Sequence, residues 1–268
     1  MRALVLLFVL AAPLAFAAED SVRLDAAPID PRDVASLQAG ARTFVNYCLN
    51  CHAAGMMRYH KLLEIGLTEQ QIKDNLLFTA DKVGELMNVA LTRREAKEWL
   101  GTVPPDLSVI ARARGPDWLY TYLRSFYRDR ESATGWNNMV YDRVAMPHVL
   151  WTLSGQQVQT ERKFKSMEQA EGIARQQKNA WKIDVLTPEQ AGKDAERFVL
   201  KTIRTETPGS LSQLEYDLLV RDLVNFMTWM SEPNQLERKQ AGYVVLLVLL
   251  VLLVLAYLLY KELWKDVH

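Results

Sequence analysis

The two cysteines of the chain lie three positions apart, and a histidine directly follows the second, in Cys48-Leu49-Asn50-Cys51-His52. At the spacing i, i+3 and i+4 on a helix, both thiols and the imidazole share one face. Two thioether bonds can then fix a porphyrin while the imidazole reaches its iron, and this spacing is typical of c-type haem attachment. The motif therefore predicts one covalently bound haem c, with His52 as an axial iron ligand.

A redox-active Cys-x-x-Cys pair of the thioredoxin type is the alternative interpretation of the same cysteines, and His52 would then follow them by chance. No strand-helix-strand pattern surrounds the motif, which disfavours that class. If haem uses Cys48 and Cys51, no cysteine is left for a disulfide, so packing around the porphyrin must hold the fold.

The sixth iron ligand has three candidates in the sequence. Histidine and methionines shortly after His52 are too close along the chain to reach the opposite haem face, namely Met56, Met57 and His60. Met146 is the first candidate, because Pro147 disfavours helical geometry at the residue before it and so predicts an extended loop. Met139 and His148 remain alternatives, and His148 would give a bis-histidine site.

The first residues have the composition of a secretory signal. One basic residue, Arg2, precedes the apolar run Ala3–Ala12, and Ala15-Phe16-Ala17 is typical of a cleavage site. The apolar run is too short to span a bilayer. We therefore expect residues 1–17 to be a signal peptide that is removed after export.

Near the other end, residues 241–260 are twenty in number and contain no charge, which is long enough for a transmembrane helix. With an exported N-terminus, residues 18–240 are expected to form a periplasmic cytochrome c domain. Residues 261–268 are then a cytoplasmic tail. The expected location is the bacterial inner membrane, with a single pass and the haem domain in the periplasm.

The charges of the chain identify no partner. Lysine and arginine together number 32, aspartate and glutamate also number 32, and the net charge is zero. An exported chain without a basic excess or a recognition motif gives no support to nucleic-acid binding.

Helix-start signals recur along the chain, each ahead of apolar residues at helical spacing. They are Asp30-Pro31, Thr68-x-x-Gln71, Thr92-x-x-Glu95, Gly115-Pro116, Thr187-Pro188 and Ser212-x-x-Glu215. No convincing alternating strand pattern is found, so the domain is predicted to be all-α. The polar segment 156–182 is interpreted as a solvated excursion from the core.

Several segments, in order, resemble the signatures of the cytochrome c1 family. They are Val45-Asn46-Tyr47 before the haem motif, Met57-Arg58-Tyr59, Pro104-Pro105-Asp106-Leu107-Ser108, Arg112-Ala113-Arg114, Met146-Pro147-His148-Val149-Leu150-Trp151, Tyr216-Asp217, Asp222-Leu223-Val224-Asn225-Phe226 and Glu232-Pro233. The chain departs from its bacterial relatives at Tyr141-Asp142-Arg143-Val144, where they usually carry Phe-Pro-Asn-Val. The resemblance covers nearly the whole mature chain.

This resemblance implies a set of residue roles. His52 and Met146 would be the axial ligands, and the Pro105 carbonyl region would brace the His52 ring. Arg114, with Arg112 as the second choice, would meet a haem propionate. The implied fold is an enlarged cytochrome c-type haem domain with insertions, followed by one C-terminal transmembrane helix.

The resemblance also implies a function. The chain would be the haem c subunit of the bacterial cytochrome bc1 complex, a ubiquinol–cytochrome c oxidoreductase. It would accept an electron from the Rieske iron-sulfur protein and pass it to a soluble or membrane cytochrome c, with cytochrome b as membrane partner and no substrate chemistry at its own haem. The alternative is a membrane-anchored haem peroxidase with an open sixth iron site.

Overall fold

The computed structural model describes residues 22–89, 91–177, 180–187, 190 and 196–265. Within that part the α-helices are α1 (Val34–Thr43), α2 (Glu69–Asn75), α3 (Arg93–Leu100), α4 (Ile110–Arg114), α5 (Pro116–Arg124), α6 (Trp151–Ser154), α7 (Met167–Gln176), α8 (Gln213–Ser231) and α9 (Gln235–Leu263). The strands are β1 (Ala54–Arg58), β2 (Leu86–Met87), β3 (Phe126–Arg128), β4 (Trp136–Asn138), β5 (Gly155–Phe164), β6 (Ala180–Val185) and β7 (Phe198–Pro208). A π-helical turn, Phe44–Cys48, continues α1, and a 3₁₀-helix, Tyr59–Ile65, follows β1. The expected signal peptide, residues 1–17, lies outside the described residues.

Most helix starts agree with the local sequence signals. Both reciprocal hydrogen bonds of a capping box are present at three of the predicted starts, namely Thr68 with Gln71, Thr92 with Glu95 and Ser212 with Glu215. Pro116 opens α5 as predicted. The start predicted at Asp30 is wrong by about one turn, because Asp33 caps α1 by accepting from the Ser36 N–H. The helix predicted after Thr187 lies largely outside the described residues.

The core is centred on the crossing of α1 and α8. Gly40 allows the two backbones to approach closely, since a Cβ built there would lie 2.0 Å from the Asp222 carbonyl oxygen. One turn further along, the rings of Phe44 and Phe226 lie 5.6 Å apart between centroids. The π-helical turn that ends at Cys48 leads directly from this crossing, so the packing of α1 on α8 positions the haem attachment motif.

The prediction of an all-α domain is not confirmed, because the segment between α6 and α8 contains a three-stranded antiparallel sheet. Its order is β5-β7-β6, with β7 in the centre. The expected solvated excursion, residues 156–182, thus contributes β5, α7 and the start of β6. Two further pairs are short: β1 with β2, and β3 with β4.

The sheet of β5, β7 and β6 was not predicted from the sequence, and its packing explains why. It packs on small apolar clusters rather than on the main core, and one of them is built on Ala174, Ala180 and Leu200. Strand β5 therefore carries mostly polar residues on both faces and lacks clear hydrophobic alternation. The β-branched residues of β7, such as Val199, Thr202 and Ile203, were the available signal.

The last helix, α9, extends away from the rest of the chain. It is long and apolar enough to cross a membrane, with a mean hydropathy of 3.0 in its most apolar window, and none of its residues is buried. It includes the predicted span, residues 241–260. A long helix with an apolar surface on all sides is expected in lipid rather than in water.

Candidate functional site

The haem attachment motif begins at the end of the π-helical turn that follows α1, and backbone hydrogen bonds continue the turn through His52. The backbone N–H of His52 donates to the Cys48 carbonyl at 2.9 Å, and that of Cys51 donates to the same oxygen at 3.1 Å. This tight turn brings the backbones of Cys48, Cys51 and His52 close together, and both cysteines are partly buried. Burial, aided by the neighbouring Cys51, raises the pKa of the Cys48 thiol to about 12. A thiol-disulfide oxidoreductase needs a readily ionised attacking thiol, so the environment of Cys48 disfavours that alternative.

The His52 ring is oriented by one hydrogen bond. Its Nδ1 lies 2.8 Å from the Pro105 carbonyl oxygen. When Nδ1–H donates to this carbonyl, Nε2 is the nitrogen left with a lone pair for a metal. Burial lowers the pKa of His52 and outweighs the opposing effects of Pro105 and Asp106, so the ring is neutral near pH 7, as an iron ligand must be.

The loop that carries Pro105 is tied to the residues after the motif. The Asp106 carboxylate accepts from the N–H of Gly55 at 2.7 Å and from that of Ser108 at 2.8 Å. The Leu107 N–H donates to the Ala53 carbonyl at 2.8 Å. These bonds on both sides hold the Pro105 carbonyl against the His52 ring.

The three candidates for the sixth ligand lie in different surroundings. Met146 packs against the main core, and its sulfur accepts a hydrogen bond from the Tyr122 hydroxyl at 3.4 Å. Met139 is buried in a separate cluster with Trp181 of β6 and Ile203 of β7. The cluster around Met139 is distinct from the core that contacts Cys48.

His148 is held inside the protein by aromatic rings. Its ring stacks on Phe126 at 4.8 Å, meets the edge of Trp136 at 5.1 Å, and its Nε2 lies 2.8 Å from the Ser154 hydroxyl. Burial lowers the pKa of His148 to about 3, so the ring stays neutral. These contacts pack one face of the ring on Phe126 and engage one of its nitrogens, so His148 anchors the Met146 loop.

Sequence reasoning did not find the residues that shape this loop. The Asn137 side-chain oxygen accepts from the N–H of Arg143, whose φ is +52°, and the Asn138 side-chain oxygen accepts from the N–H groups of Val140 and Tyr141. The paired asparagines were the available signal, because asparagine side chains often satisfy loop backbones. The departure from the family pattern at residues 141–144 therefore falls on a loop built by Asn137 and Asn138.

Arg112 and Arg114, the two candidates for contact with a haem propionate, have different surroundings. The Arg114 guanidinium lies 5.3 Å from the centre of the Trp118 ring, which stacks on Tyr122 at 4.7 Å. Arg114 is thereby linked through rings to the residue that contacts Met146. Arg112 instead lines a cavity beside Glu232, near the start of α9.

These donors fit a haem c. Two thiols at the attachment spacing stand beside a neutral imidazole whose Nε2 is available, and a thioether lies in a loop packed on the same core. An imidazole with a thioether is a ligand set of c-type cytochromes. The Tyr122 ring that contacts Met146 belongs to a run of aromatic contacts with Trp118 and Phe126, so the Met146 loop lies beside an apolar, aromatic part of the core.

Comparison with known proteins extends this agreement to the whole chain. The family model described as "Cytochrome C1 family" matches residues 206–267. The chain is 43% identical over 271 residues to "Cytochrome c1" of Allochromatium vinosum, covering 100% of both chains. It is 44% identical over 264 residues to a Nitrosomonas europaea protein named "Ammonia monooxygenase gamma subunit", covering 98% of this chain and 97% of the relative. It is 25% identical over 255 residues to "Cytochrome c1" of Rhodospirillum rubrum, covering 88% and 83%. The full-length similarity shows that the chain belongs to the cytochrome c1 family.

Proposed function

We propose that this chain is the haem c subunit of a bacterial ubiquinol–cytochrome c oxidoreductase, taking one electron from the Rieske iron-sulfur protein and passing it to a cytochrome c. Members of the cytochrome c1 family carry one covalently bound haem c and transfer electrons within the bc1 complex. Two observations together support the proposal most strongly. The chain is similar to a bacterial cytochrome c1 over its full length, and the His52 ring is oriented by a hydrogen bond to the Pro105 carbonyl. The comparisons give no support to the peroxidase alternative.

The geometry of the site supports a proposed role for each of these residues. Cys48 and Cys51 would hold the haem through two thioether bonds, and His52 and Met146 would coordinate its iron. The Pro105 carbonyl keeps Nε2 of His52 directed away from the loop, and the Tyr122 hydroxyl holds the Met146 sulfur. The bound haem supplies one-electron redox chemistry, and axial methionine favours its reduced form and raises its potential.

Arg114 is the residue we assign to a propionate, since its guanidinium is next to Trp118 on the Tyr122 side of the site. Arg112 was the second choice. Its place beside Glu232 and Lys239 supports Arg114 over Arg112. A forked guanidinium would donate two charge-assisted hydrogen bonds to the carboxylate.

The proposed topology uses the apolar helix as an anchor. Residues 1–17 would be a cleaved signal peptide and residues 18–240 a periplasmic domain. Residues 241–260 would cross the inner membrane beside cytochrome b, and residues 261–268 would be cytoplasmic. The fully exposed apolar surface of α9 supports this arrangement.

The function can be tested with the complex purified from membranes in a mild detergent. Rapid mixing with ubiquinol should reduce the haem c of this chain. The rise of the α-band of the reduced haem in the visible absorption spectrum follows the reaction. Removing the Rieske protein should abolish this reduction while leaving reduction by dithionite intact. Rapid oxidation of the reduced haem by hydrogen peroxide, with turnover of an electron donor, would instead support the peroxidase class and reject the proposal.

A further inference from the structure

A cavity of about 370 Å³ lies where the haem-bearing part of the chain meets α9. Ile29 and Pro116 form part of its apolar wall, and Ala111 adds a buried surface. Arg112 and Lys239 bring two positive charges to it from opposite elements, α4 and α9. The cavity thus combines an apolar lining with cations, which suits a ligand that has both kinds of surface.

The two cations form no close ion pair within the described part of the protein, and Glu232 is the carboxylate of the cavity lining that interacts with Arg112. Across the part of the chain that the structure describes, neither the Arg112 guanidinium nor the Lys239 ammonium takes part in an ion pair or a side-chain hydrogen bond. The one carboxylate in the lining, Glu232, accepts a hydrogen bond from Arg238. Arg112, Lys239 and Arg238 together with Glu232 leave an excess of two positive charges around the cavity.

The cavity is lined both by the first turn of α9 and by the carboxyl end of α8, at Thr228 and Glu232, so the charges of the two helix ends oppose each other. Helix α9 begins at Gln235, which lines the cavity, and its N-cap residue, Asn234, makes no capping hydrogen bond with its side chain. The first N–H groups of a helix lack partners within the helix and carry its positive end. The attraction for an anion in the cavity therefore comes from its two cationic side chains, Arg112 and Lys239, and not from a helix terminus.

The cavity is also level with the start of the membrane span. Lys239 precedes the uncharged segment by two positions, and residues that follow it at helical spacing share its face of α9, namely Tyr243, Leu246 and Leu250. All three are exposed and apolar or amphipathic. A molecule with its head in the cavity could therefore lay hydrocarbon along α9.

We propose that this cavity binds the anionic headgroup of a membrane phospholipid, with the phosphate between Arg112 and Lys239 and the acyl chains along the exposed face of α9. The inference rests on the proposed membrane span. It commits to a lipid rather than to an acidic side chain of another subunit, because the cationic cavity continues into an apolar helix face directly below it.

The test uses the full chain with its haem, purified in a mild detergent, and native mass spectrometry during titration with dioleoyl-phosphatidylglycerol. One lipid molecule should bind at least tenfold more tightly than dioleoyl-phosphatidylcholine. Each basic residue near a membrane surface contributes about 1 kcal/mol toward an anionic lipid, or about fivefold. Lys239→Gln alone should therefore weaken binding about fivefold, and Arg112→Gln with Lys239→Gln about thirtyfold.

The matched control is Lys163→Gln with Arg204→Gln, which removes two cations from the sheet and should change the affinity less than twofold. Lys239 is exposed on α9, so its single variant is expected to fold normally. Equal affinity for the two lipids, or unchanged affinity in both cavity variants, would overturn the proposal. Equally tight binding of acyl-free glycerol phosphate would overturn it too, since the site would then select a soluble anion.

Two further results separate this inference from the proposed function. If neither lipid binds and the chain is soluble without detergent, the membrane span itself is wrong. If the double variant binds phosphatidylglycerol like the wild type but loses cytochrome b during purification, the cavity faces a protein subunit. That result would overturn the lipid site while leaving the electron-transfer function in place.

Discussion

His52 can offer only one of its ring nitrogens to iron, because the other donates to the Pro105 carbonyl. The haem motif and the preference for Met146 over Met139 and His148 were inferred from the sequence, since both depend on neighbouring residues, and the ligand assignment stays a prediction. The contact with Pro105 came only from the family resemblance. The contact between Tyr122 and Met146 depends on tertiary packing that no local pattern records, whereas the paired asparagines were a local signal for the loop hydrogen bonds of Asn137.

Met146 is the residue on which the proposed function depends most directly. We expect Met146→Leu to remove the weak charge-transfer band of methionine-ligated ferric haem, to permit carbon monoxide binding to the reduced protein, and to lower the reduction potential. Leucine has nearly the same volume, so the substitution should cost less than about 1.5 kcal/mol of stability. The loss of the sulfur donor is the physical cause of all three changes.

Met139→Leu is the matched control for this experiment. Its side chain packs with Trp181 and Ile203 in a separate cluster, so the spectrum, carbon monoxide binding and potential should stay near those of the wild type. Visible and near-infrared spectroscopy with a redox titration measure these quantities. If Met139→Leu loses the charge-transfer band and Met146→Leu keeps it, the ligand assignment is wrong.

Among the elements, helix boundaries were predictable and strand pairing was not. A capping box such as that of Ser212 and Glu215 is contained in four consecutive residues, so its signal is local. Strand β5 pairs with β7, whose register joins Gly155 to Pro208, and no local pattern of β5 reveals that partner. The haem site was predictable because the α1–α8 core, not the sheet, positions its attachment motif.

The crossing of α1 and α8 gives a prediction at this scale. We expect Gly40→Ala to destabilise the protein by about 2 kcal/mol or more, because the added Cβ would lie 2.0 Å from the Asp222 carbonyl oxygen and 2.6 Å from the Phe226 Cβ. The two helices would have to separate. Thermal unfolding of the haem-loaded protein, followed by circular dichroism, measures the change.

Gly172→Ala is the control within the same chain. Gly172 lies inside α7, and a Cβ there would meet nothing within 4 Å. Alanine favours a helix interior over glycine by about 0.5–1 kcal/mol, so this variant should be slightly more stable than the wild type. Equal effects of Gly40→Ala and Gly172→Ala would show that the backbones at the crossing can separate at little cost.

For the molecule as a whole, one buried arginine joins segments that are far apart in sequence. The Arg124 guanidinium donates to Asp217 on α8 at 2.7 Å and to Asp25 near the N-terminus at 2.8 Å. The Trp181 indole N–H, on β6, donates to the same Asp25 carboxylate at 3.1 Å. Arg124 therefore ties α5, α8, the N-terminal segment and the sheet together, and none of these bonds involves α9.

The independence of α9 leads to the last prediction, that anchoring and haem binding are separable. A chain that ends at Gln240 should be exported, soluble without detergent and red, since no residue of α9 is buried and the core contacts lie before it. Its reduced spectrum should match that of the full chain. Fractionation of the periplasm and membranes, with absorption spectroscopy of each fraction, makes the measurement.

The same truncated chain distinguishes two ways of joining the complex. If α9 provides the main contact with cytochrome b, the truncated chain should no longer co-purify with b-type haem, whereas the full chain should. Unchanged co-purification would place the main contact on the periplasmic domain. Recovery of the truncated chain only from membranes would reveal a second anchor, and a colourless soluble product would show that α9 is needed for haem attachment.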